Sequence, residues 1–171
     1  ATAIVRGAFE FQGQKCSAAS RAYIPASLWK DVKQYVGEML STIKMGDVTD
    51  FTNFVNAVID EASFDKCKGY IDRAKASNEA EVIFGGNCDK SIGYFVEPTV
   101  ILTTNPKYES MAQEIFGPII TIFVYNDKDY VETLELCDNT SPYALTGAIF
   151  AYDLQAQKIA NDKLKYAAGN F

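Results

Sequence analysis

Apolar residues recur along this chain with two alternating spacings, one typical of helices and the other of strands. Helical spacing covers residues 1–12, 27–43, 60–74, 107–114, 127–137 and 153–166. Strand patterns lie between them, at residues 21–24, 80–84, 94–102 with a break at Pro98, 119–125, 145–152 and 167–171. Residues 44–58 show neither spacing and are predicted to be irregular. Strands that alternate with helices predict an α/β fold, a three-layer sandwich around a largely parallel sheet.

Individual residues sharpen several of these predictions. Gly13 is suited to end the first helix, and Ser27 and Asp153 are suited to cap the helices that follow them. Residues 119–125 form a continuous apolar run, typical of a strand that is covered on both faces. One face of the helix that starts near residue 60 carries an apolar stripe, made of Phe64, Cys67, Ile71 and Ala74.

Composition and charge exclude several functional classes. The chain has 171 residues, enough for one domain with a sizeable core, and no repeat or linker divides it. A formal net charge of −6 argues against binding nucleic acid or an anionic membrane through bulk charge. No apolar run reaches the roughly 18 residues that a membrane helix needs, and the first residues lack the pattern of a signal peptide. Because the chain opens inside a predicted helix and stops on a predicted strand, we expect it to be a piece of a longer protein.

The chain contains four cysteines, Cys16, Cys67, Cys88 and Cys137, and no histidine. No two of them have Cys-x-x-Cys spacing, so no zinc or other metal site is expected. A core of this size needs no disulfide framework, which favours reduced thiols in a cytosolic or matrix-like compartment. Cys67 and Cys137 lie at apolar helix positions and are expected in the core, whereas Cys88 is expected in an exposed loop. Without histidine, this chain alone cannot build a Cys–His or Ser–His nucleophile.

Cys16 has the surroundings that best suit chemistry. It follows the end of the first predicted helix in a polar turn, between Lys15 and Ser17. A neighbouring cation favours the thiolate, which is the nucleophilic form, and a turn can aim the Cys16 N–H at a developing oxyanion. The alternative is a small core residue, the commoner role of a lone cysteine.

A second candidate site precedes the continuous apolar strand. Residues 113–118 place Glu114, Phe116 and a Gly-Pro turn directly before it. Ligands of α/β sheets bind in loops at strand ends, and a glutamate there can accept hydrogen bonds from sugar hydroxyls. The alternative is a solvated glutamate and a core phenylalanine. Gly85 and Gly86 do not complete a Gly-x-Gly-x-x-Gly pattern and no Walker sequence occurs, so the chain has no phosphate cradle of its own.

Three segments together resemble the aldehyde dehydrogenase superfamily, in the order that the superfamily has them. Residues 12–17 match its Gln-Gly-Gln-x-Cys motif, residues 93–99 match its Gly-Tyr-Phe-Val-Glu-Pro-Thr segment, and residues 114–118 match its cofactor-ribose motif. Gln113 stands where many members have a second glutamate. The likeness extends over essentially the whole chain, and it implies the α/β catalytic domain of that superfamily.

Within the superfamily, residues 8–17, 143–150 and 168–171 are most similar to 1-pyrroline-5-carboxylate dehydrogenases. The resemblance implies that a small aldehyde, glutamate 5-semialdehyde, is oxidised to glutamate in proline catabolism, with NAD or NADP as the cofactor. Cys16 would attack the aldehyde, and loss of hydride would leave a thioester that water hydrolyses. Two alternatives stay open: another semialdehyde dehydrogenase, and a structural protein that has kept the fold. The intact motifs argue against the structural protein.

The resemblance also implies roles for other residues. Glu114 would bind the nicotinamide ribose with Phe116 packed beside it, and Ser17 and Lys15 would hold the substrate at its reacting end. The dinucleotide-binding domain, the general-base glutamate and the oxyanion asparagine of the family would precede this segment, and its substrate-carboxylate loop would follow. The chain alone is therefore expected to show neither tight NAD binding nor turnover. The whole protein is expected to be a homo-oligomer of the cytoplasm, or of the mitochondrial matrix in a eukaryote.

Overall fold

The computed structural model describes residues 1–143 and 145–166. Its α-helices are α1 (Thr2–Phe9), α2 (Ala26–Thr42), α3 (Glu61–Ala76), α4 (Glu109–Ala112), α5 (Tyr130–Asn139) and α6 (Leu154–Lys163). Its strands are β1 (Arg21–Pro25), β2 (Ala80–Phe84), β3 (Cys88–Asp89), β4 (Phe95–Val96), β5 (Thr99–Thr103) and β6 (Ile119–Tyr125). Short 3₁₀ helices, Glu10–Gly13 and Asp127–Asp129, follow α1 and precede α5.

The central sheet has the strand order β1-β6-β5-β2. β1 and β5 run parallel to β6 on its two sides, so that Arg21 and Ile101 both lie opposite Thr121. β2 pairs with β5 in the antiparallel sense, and β3 and β4 form a separate antiparallel pair. The predicted, largely parallel sheet is confirmed, and the continuous apolar run of β6 lies inside it because helices cover both faces.

Two helical layers enclose the sheet. α1 and α2 pack on one face, in a buried cluster made of Val5, Ala8, Phe9, Val36, Val55, Val100, Ile120 and Ile122. α3 packs on the other face, in a cluster that also includes Val96, Ile101 and Ile119. Its predicted stripe of Phe64, Cys67, Ile71 and Ala74 is fully buried. Successive residues of β6 therefore point to opposite layers, as strand geometry requires, and the predicted three-layer sandwich is confirmed.

The predicted strand at residues 145–152 is wrong. These residues form neither helix nor strand: Phe150 and Tyr152 are exposed, and Ile149 packs against α5 and α6. An apolar alternation becomes a strand only where another strand pairs with it, and within the described residues β1 pairs with β6 alone. Residues 167–171, the last predicted strand, lie outside the described residues, as does residue 144.

The predicted cap of α2 is also wrong, whereas that of α6 is confirmed. α2 begins at Ala26, and Ser27 instead bonds Asp127 through both its hydroxyl and its main-chain N–H. The carboxylate competes successfully for the hydroxyl, so Ser27 ties α2 to the end of β6. Asp153 caps α6 by accepting a hydrogen bond from the Gln155 N–H at 2.9 Å.

Candidate active site

The chain leaves α1 along an uncommon backbone path. Phe11, Gln12 and Gly13 all adopt left-handed conformations, with φ values of 52°, 59° and 65°. The first helix was predicted to reach residue 12, but α1 ends at Phe9, and Phe11 is 70% exposed rather than on the apolar face. Left-handed backbone costs a non-glycine residue about 1–2 kcal/mol. Tertiary contacts must therefore hold this left-handed run, residues 11–13, in place.

The left-handed run leads into the turn that carries Cys16. The Ala18 N–H donates to the Lys15 carbonyl at 3.1 Å, which places Cys16 and Ser17 at the exposed centre of the turn. Among residues 1–143 and 145–166, neither the Cys16 thiol, the Cys16 N–H nor the Ser17 hydroxyl has a hydrogen-bond partner. A free thiol beside a free N–H can attack a carbonyl carbon and then stabilise the oxyanion that forms.

Lys15 is engaged away from this turn. Its ammonium group lies 3.2 Å from a Glu10 carboxylate oxygen and 5.6 Å from the centre of the Phe11 ring. Glu10 also pairs with Arg6, and the hydrogen bond from Lys15 is the main reason that the pKa of Glu10 is lowered. The carboxylate offsets the charge of Lys15. The expectation that an adjacent cation favours the Cys16 thiolate is weakened accordingly.

Two glutamine side chains tie the left-handed run and the turn to the irregular segment of residues 44–60. Buried Gln12 faces Asn56: its side-chain oxygen accepts from the Asn56 N–H at 2.6 Å, and its side-chain nitrogen donates to the Phe11 carbonyl at 2.9 Å. The Gln14 side-chain oxygen accepts from the Ile59 N–H at 2.9 Å. Sequence reasoning assigned no role to either residue. The available signal was that two amide side chains flank Gly13 in the segment directly before Cys16.

Gly13 brings the cysteine segment against the glutamate segment. A Cβ atom added to Gly13 would lie less than 3.0 Å from the carbonyl oxygens of Gly117 and Ala8. Gly117 is packed just as closely on its other side, because a Cβ there would lie less than 3.0 Å from the Cys67 sulfur. The two main chains can approach this closely only without side chains. The structure therefore brings together two sites that the sequence offered separately.

Glu114 and Phe116 precede Gly117 in the glutamate segment, and both are exposed. The Glu114 side chain is exposed and has no ion-pair or hydrogen-bond partner within the described ranges. Phe116 has a φ of 59° and is 40% exposed, so the alternative interpretation, that it is a core phenylalanine, is wrong. A free carboxylate beside an exposed aromatic ring can receive the hydroxyls and the apolar face of a ribose.

The third segment of the resemblance, residues 93–99, supports both of the others. The Thr99 N–H donates to the Pro118 carbonyl at 2.9 Å, which fixes the glutamate segment. The Tyr94 carbonyl accepts from the Val58 N–H at 2.9 Å, which fixes the segment that Gln12 and Gln14 contact. All three segments thus form one connected structure around the Cys16 turn.

Two concavities among the described residues lie away from the Cys16 turn, one beside the end of α5 (residues 138–142 with 165 and 166) and one between α3 and residues 88–91. Neither includes Cys16. None of the described helices is long and apolar enough to cross a membrane.

The other three thiols are poorly suited to nucleophilic chemistry. Cys67 is fully buried, and burial raises its pKa to about 11. Burial likewise raises the pKa of Cys137 and of Cys88. The predicted core position is confirmed for Cys67, whereas Cys137 is only partly buried against the cluster of α5 and α6, and Cys88 is half-buried and less exposed than expected. Cys16 is the exposed thiol of this set.

Residues 1–170 match the aldehyde dehydrogenase family. The chain is 57% identical over 167 residues to the mitochondrial delta-1-pyrroline-5-carboxylate dehydrogenase of Dictyostelium discoideum. This alignment covers 98% of this chain and 30% of that protein. Identity to the Danio rerio protein of the same name is 51% over 171 residues, 99% of this chain and 31% of that protein. The structure of the Mycobacterium tuberculosis delta-pyrroline-5-carboxylate dehydrogenase bound with NAD and cobalamin matches with a TM-score of 0.93 at 46% identity, over 99% of this chain and 31% of that chain. The chain spans 30% to 31% of the length of these curated relatives. It belongs to the aldehyde dehydrogenase family.

Proposed function

We propose that this chain is the cysteine-bearing catalytic part of an NAD-dependent 1-pyrroline-5-carboxylate dehydrogenase, which oxidises glutamate 5-semialdehyde to glutamate. The observation that carries the proposal is the contact, at Gly13 and Gly117, between the segment of an exposed thiol, Cys16, and the segment of an exposed carboxylate, Glu114. Relatives at 57% and 51% identity carry the name of this activity. A structural role would require neither group.

Cys16 is the nucleophile in this proposal. Its thiolate forms a bond to the aldehyde carbon, and the carbonyl electron pair moves to the oxygen, which the Cys16 N–H stabilises. Bound NAD would supply the acceptor for the hydride of this carbon, and loss of that hydride would leave a thioester to Cys16. Water then adds to the thioester carbon, the carbon–sulfur bond breaks, and glutamate leaves with Cys16 restored.

Glu114 and Phe116 are proposed to hold the nicotinamide ribose. The carboxylate of Glu114 is free to accept hydrogen bonds from two ribose hydroxyls, and the Phe116 ring is exposed beside it. These residues fit the ribose and not the diphosphate, because the chain contains no glycine-rich phosphate cradle. We therefore propose that residues outside this chain hold the rest of NAD, and that these 171 residues alone have no turnover.

Ser17 and Lys15 are proposed to contact the substrate at its reacting end. The Ser17 hydroxyl is exposed and unpaired within the described residues, so it can donate to a bound aldehyde or carboxylate. Lys15 reaches the substrate only if it shares or leaves its contact with Glu10. We also propose that the whole protein is a homo-oligomer, located in the cytoplasm or, in a eukaryote, in the mitochondrial matrix. The relatives named mitochondrial support the matrix in a eukaryote.

The test uses a full-length polypeptide that carries this segment, with NADH formation followed by absorbance. We expect Cys16→Ala to abolish turnover with glutamate 5-semialdehyde, and Cys88→Ala to keep it. Semialdehydes with shorter chains should lose on the order of 10²-fold in kcat/KM if the site recognises the substrate carboxylate. The proposal fails if Cys16→Ala retains turnover. Equal kcat/KM for the shorter semialdehydes would instead identify a different aldehyde dehydrogenase.

A further inference from the structure

Gln14 lies between a strained backbone and the nucleophile. It follows the left-handed run directly, and its main-chain N–H donates to the Phe11 carbonyl at 3.0 Å, across that run. On its C-terminal side, Gln14 is followed directly by the Cys16 turn. Strain of this kind persists only where the surroundings impose it. We propose that Gln14 is a positioning residue for Cys16, acting through the hydrogen bond that its side-chain oxygen accepts from the Ile59 N–H. The inference rests on the proposed function of Cys16.

The Ile59 N–H is a fixed anchor for this contact. Ile59 immediately precedes Asp60, which caps α3 by accepting from the Ser63 N–H at 2.7 Å. One residue earlier, Val58 is buried and its N–H is bonded to the Tyr94 carbonyl. The anchor therefore moves with α3 and the sheet, whereas Gln14 belongs to a turn that is exposed at its centre.

Apolar packing does not replace this hydrogen bond. The Ile59 side chain is 79% exposed, and the Phe11 side chain on the other side of the run is 70% exposed. The 2.9 Å contact between the Gln14 oxygen and the Ile59 N–H thus ties the chain just before Cys16 to the segment that leads into α3. Gln12, in contrast, is buried against Asn56, so its contribution is to the stability of the fold.

Loss of this tie should act on the angle of attack rather than on substrate binding. Cys16 is two residues from Gln14, and no hydrogen bond among the described residues holds the Cys16 N–H or thiol directly. A displacement of about 1 Å at a reacting atom can cost on the order of 10²-fold in rate. The Ser17 hydroxyl and the Glu114 carboxylate do not depend on the Gln14 side chain for exposure, so affinity should change less than kcat.

The test compares Gln14→Met with Gln34→Met in the full-length protein that carries this segment. Gln34 is an exposed residue of α2 whose amide donates to Glu38 at 2.8 Å, so the same substitution there is a matched control. We expect Gln14→Met to lower kcat by about tenfold or more while KM changes by less than about threefold. Gln34→Met should leave both near their original values. Slow iodoacetamide labelling of buried Cys67 verifies that each variant is folded.

A second variant tests the partner. Ile59→Pro removes the N–H donor without changing any charge, and it should lower kcat as Gln14→Met does. In the double variant the two effects should not multiply, because both remove one hydrogen bond. The proposal is overturned if Gln14→Met leaves kcat unchanged in a folded protein, if KM rises while kcat holds, or if the two effects multiply fully. Failure of the proposed function is a separate result, since it is retained turnover in Cys16→Ala.

Discussion

Gly117→Ala tests whether the glutamate segment packs against α3 with the geometry described. The backbone of Gly117 does not have a positive φ, so alanine meets no conformational penalty there. The added Cβ would instead lie less than 3.0 Å from the Cys67 sulfur, which is fully buried and cannot move aside. Overpacking of this kind costs about 1–3 kcal/mol. We expect the free energy of unfolding to fall by that amount.

Shortening Cys67 to alanine separates the overpacking cost of Gly117→Ala from any other effect of that substitution. Cys67→Ala alone removes one buried sulfur and should cost about 1–2 kcal/mol from lost burial and the cavity. If the two sites were independent, the double variant would lose about 2–5 kcal/mol. Because the alanine Cβ at residue 117 occupies the space of the missing sulfur, we expect a loss of about 1–2 kcal/mol, and hence a coupling of at least about 1 kcal/mol.

Urea unfolding followed by circular dichroism measures these free energies of unfolding. Gly69→Ala is the matched control: it lies within α3, its added Cβ would approach only the flexible end of Arg73, and it should stabilise by about 0.5–1 kcal/mol. Additive losses for the Gly117→Ala and Cys67→Ala pair would refute the reasoning. So would a neutral Gly117→Ala, because the close approach of Gly117 to the Cys67 sulfur would then be absent.

Three further predictions follow from single contacts. Asp60→Asn should keep the cap of α3 but remove its pH dependence. Hydrogen bonds from Ser63 lower the pKa of Asp60 from 3.8, so the stability that its carboxylate adds is present above pH 3.8 and is lost as the pH falls through the lowered pKa. Thermal unfolding at a series of pH values measures this loss. Thr121→Val should cost about 1–3 kcal/mol because it strips the buried Ser110 hydroxyl of its 2.7 Å partner, and adding Ser110→Ala should recover most of that loss in urea unfolding. Iodoacetamide should label Cys16 well before any buried thiol, as peptide mapping by mass spectrometry measures, and equal rates would contradict the exposed turn.

The layered fold was predictable because its signals are local and repeated. The α3 stripe of Phe64, Cys67, Ile71 and Ala74 has a helical period, and each of its members is buried. The bounds of β2 and β6 were also predicted to the residue, since Gly85 ends the first run and Tyr125 ends the second before a polar stretch. The pattern at residues 145–152 failed because a strand depends on a partner that a single segment does not encode.

The residue types of the candidate site were predictable, whereas their contacts were not. Cys16 and Glu114 could be singled out because a thiol in a polar turn and a carboxylate before a strand suit chemistry wherever they occur. The close approach of Gly13 to Gly117 joins residues more than 100 positions apart, and no local pattern reports it. The ion pair between Lys15 and Glu10 was likewise not predictable from the sequence, because it depends on how the chain leaves α1.

That exit from α1 explains why the thiol can be both exposed and fixed. A helix continued to residue 12 would keep the helical spacing of Phe11 and carry the following turn away from Gly117. Three left-handed residues instead reverse the chain, and they turn Phe11 outward and Gln12 inward. Helix propensity opposes this path at Phe11 and Gln12, so its stability must come from the contacts made by Gln12, Gly13 and Gln14. The local rule is broken directly before the Cys16 turn, and the compensating hydrogen bonds come from residues 56 and 59, more than 40 positions along the chain.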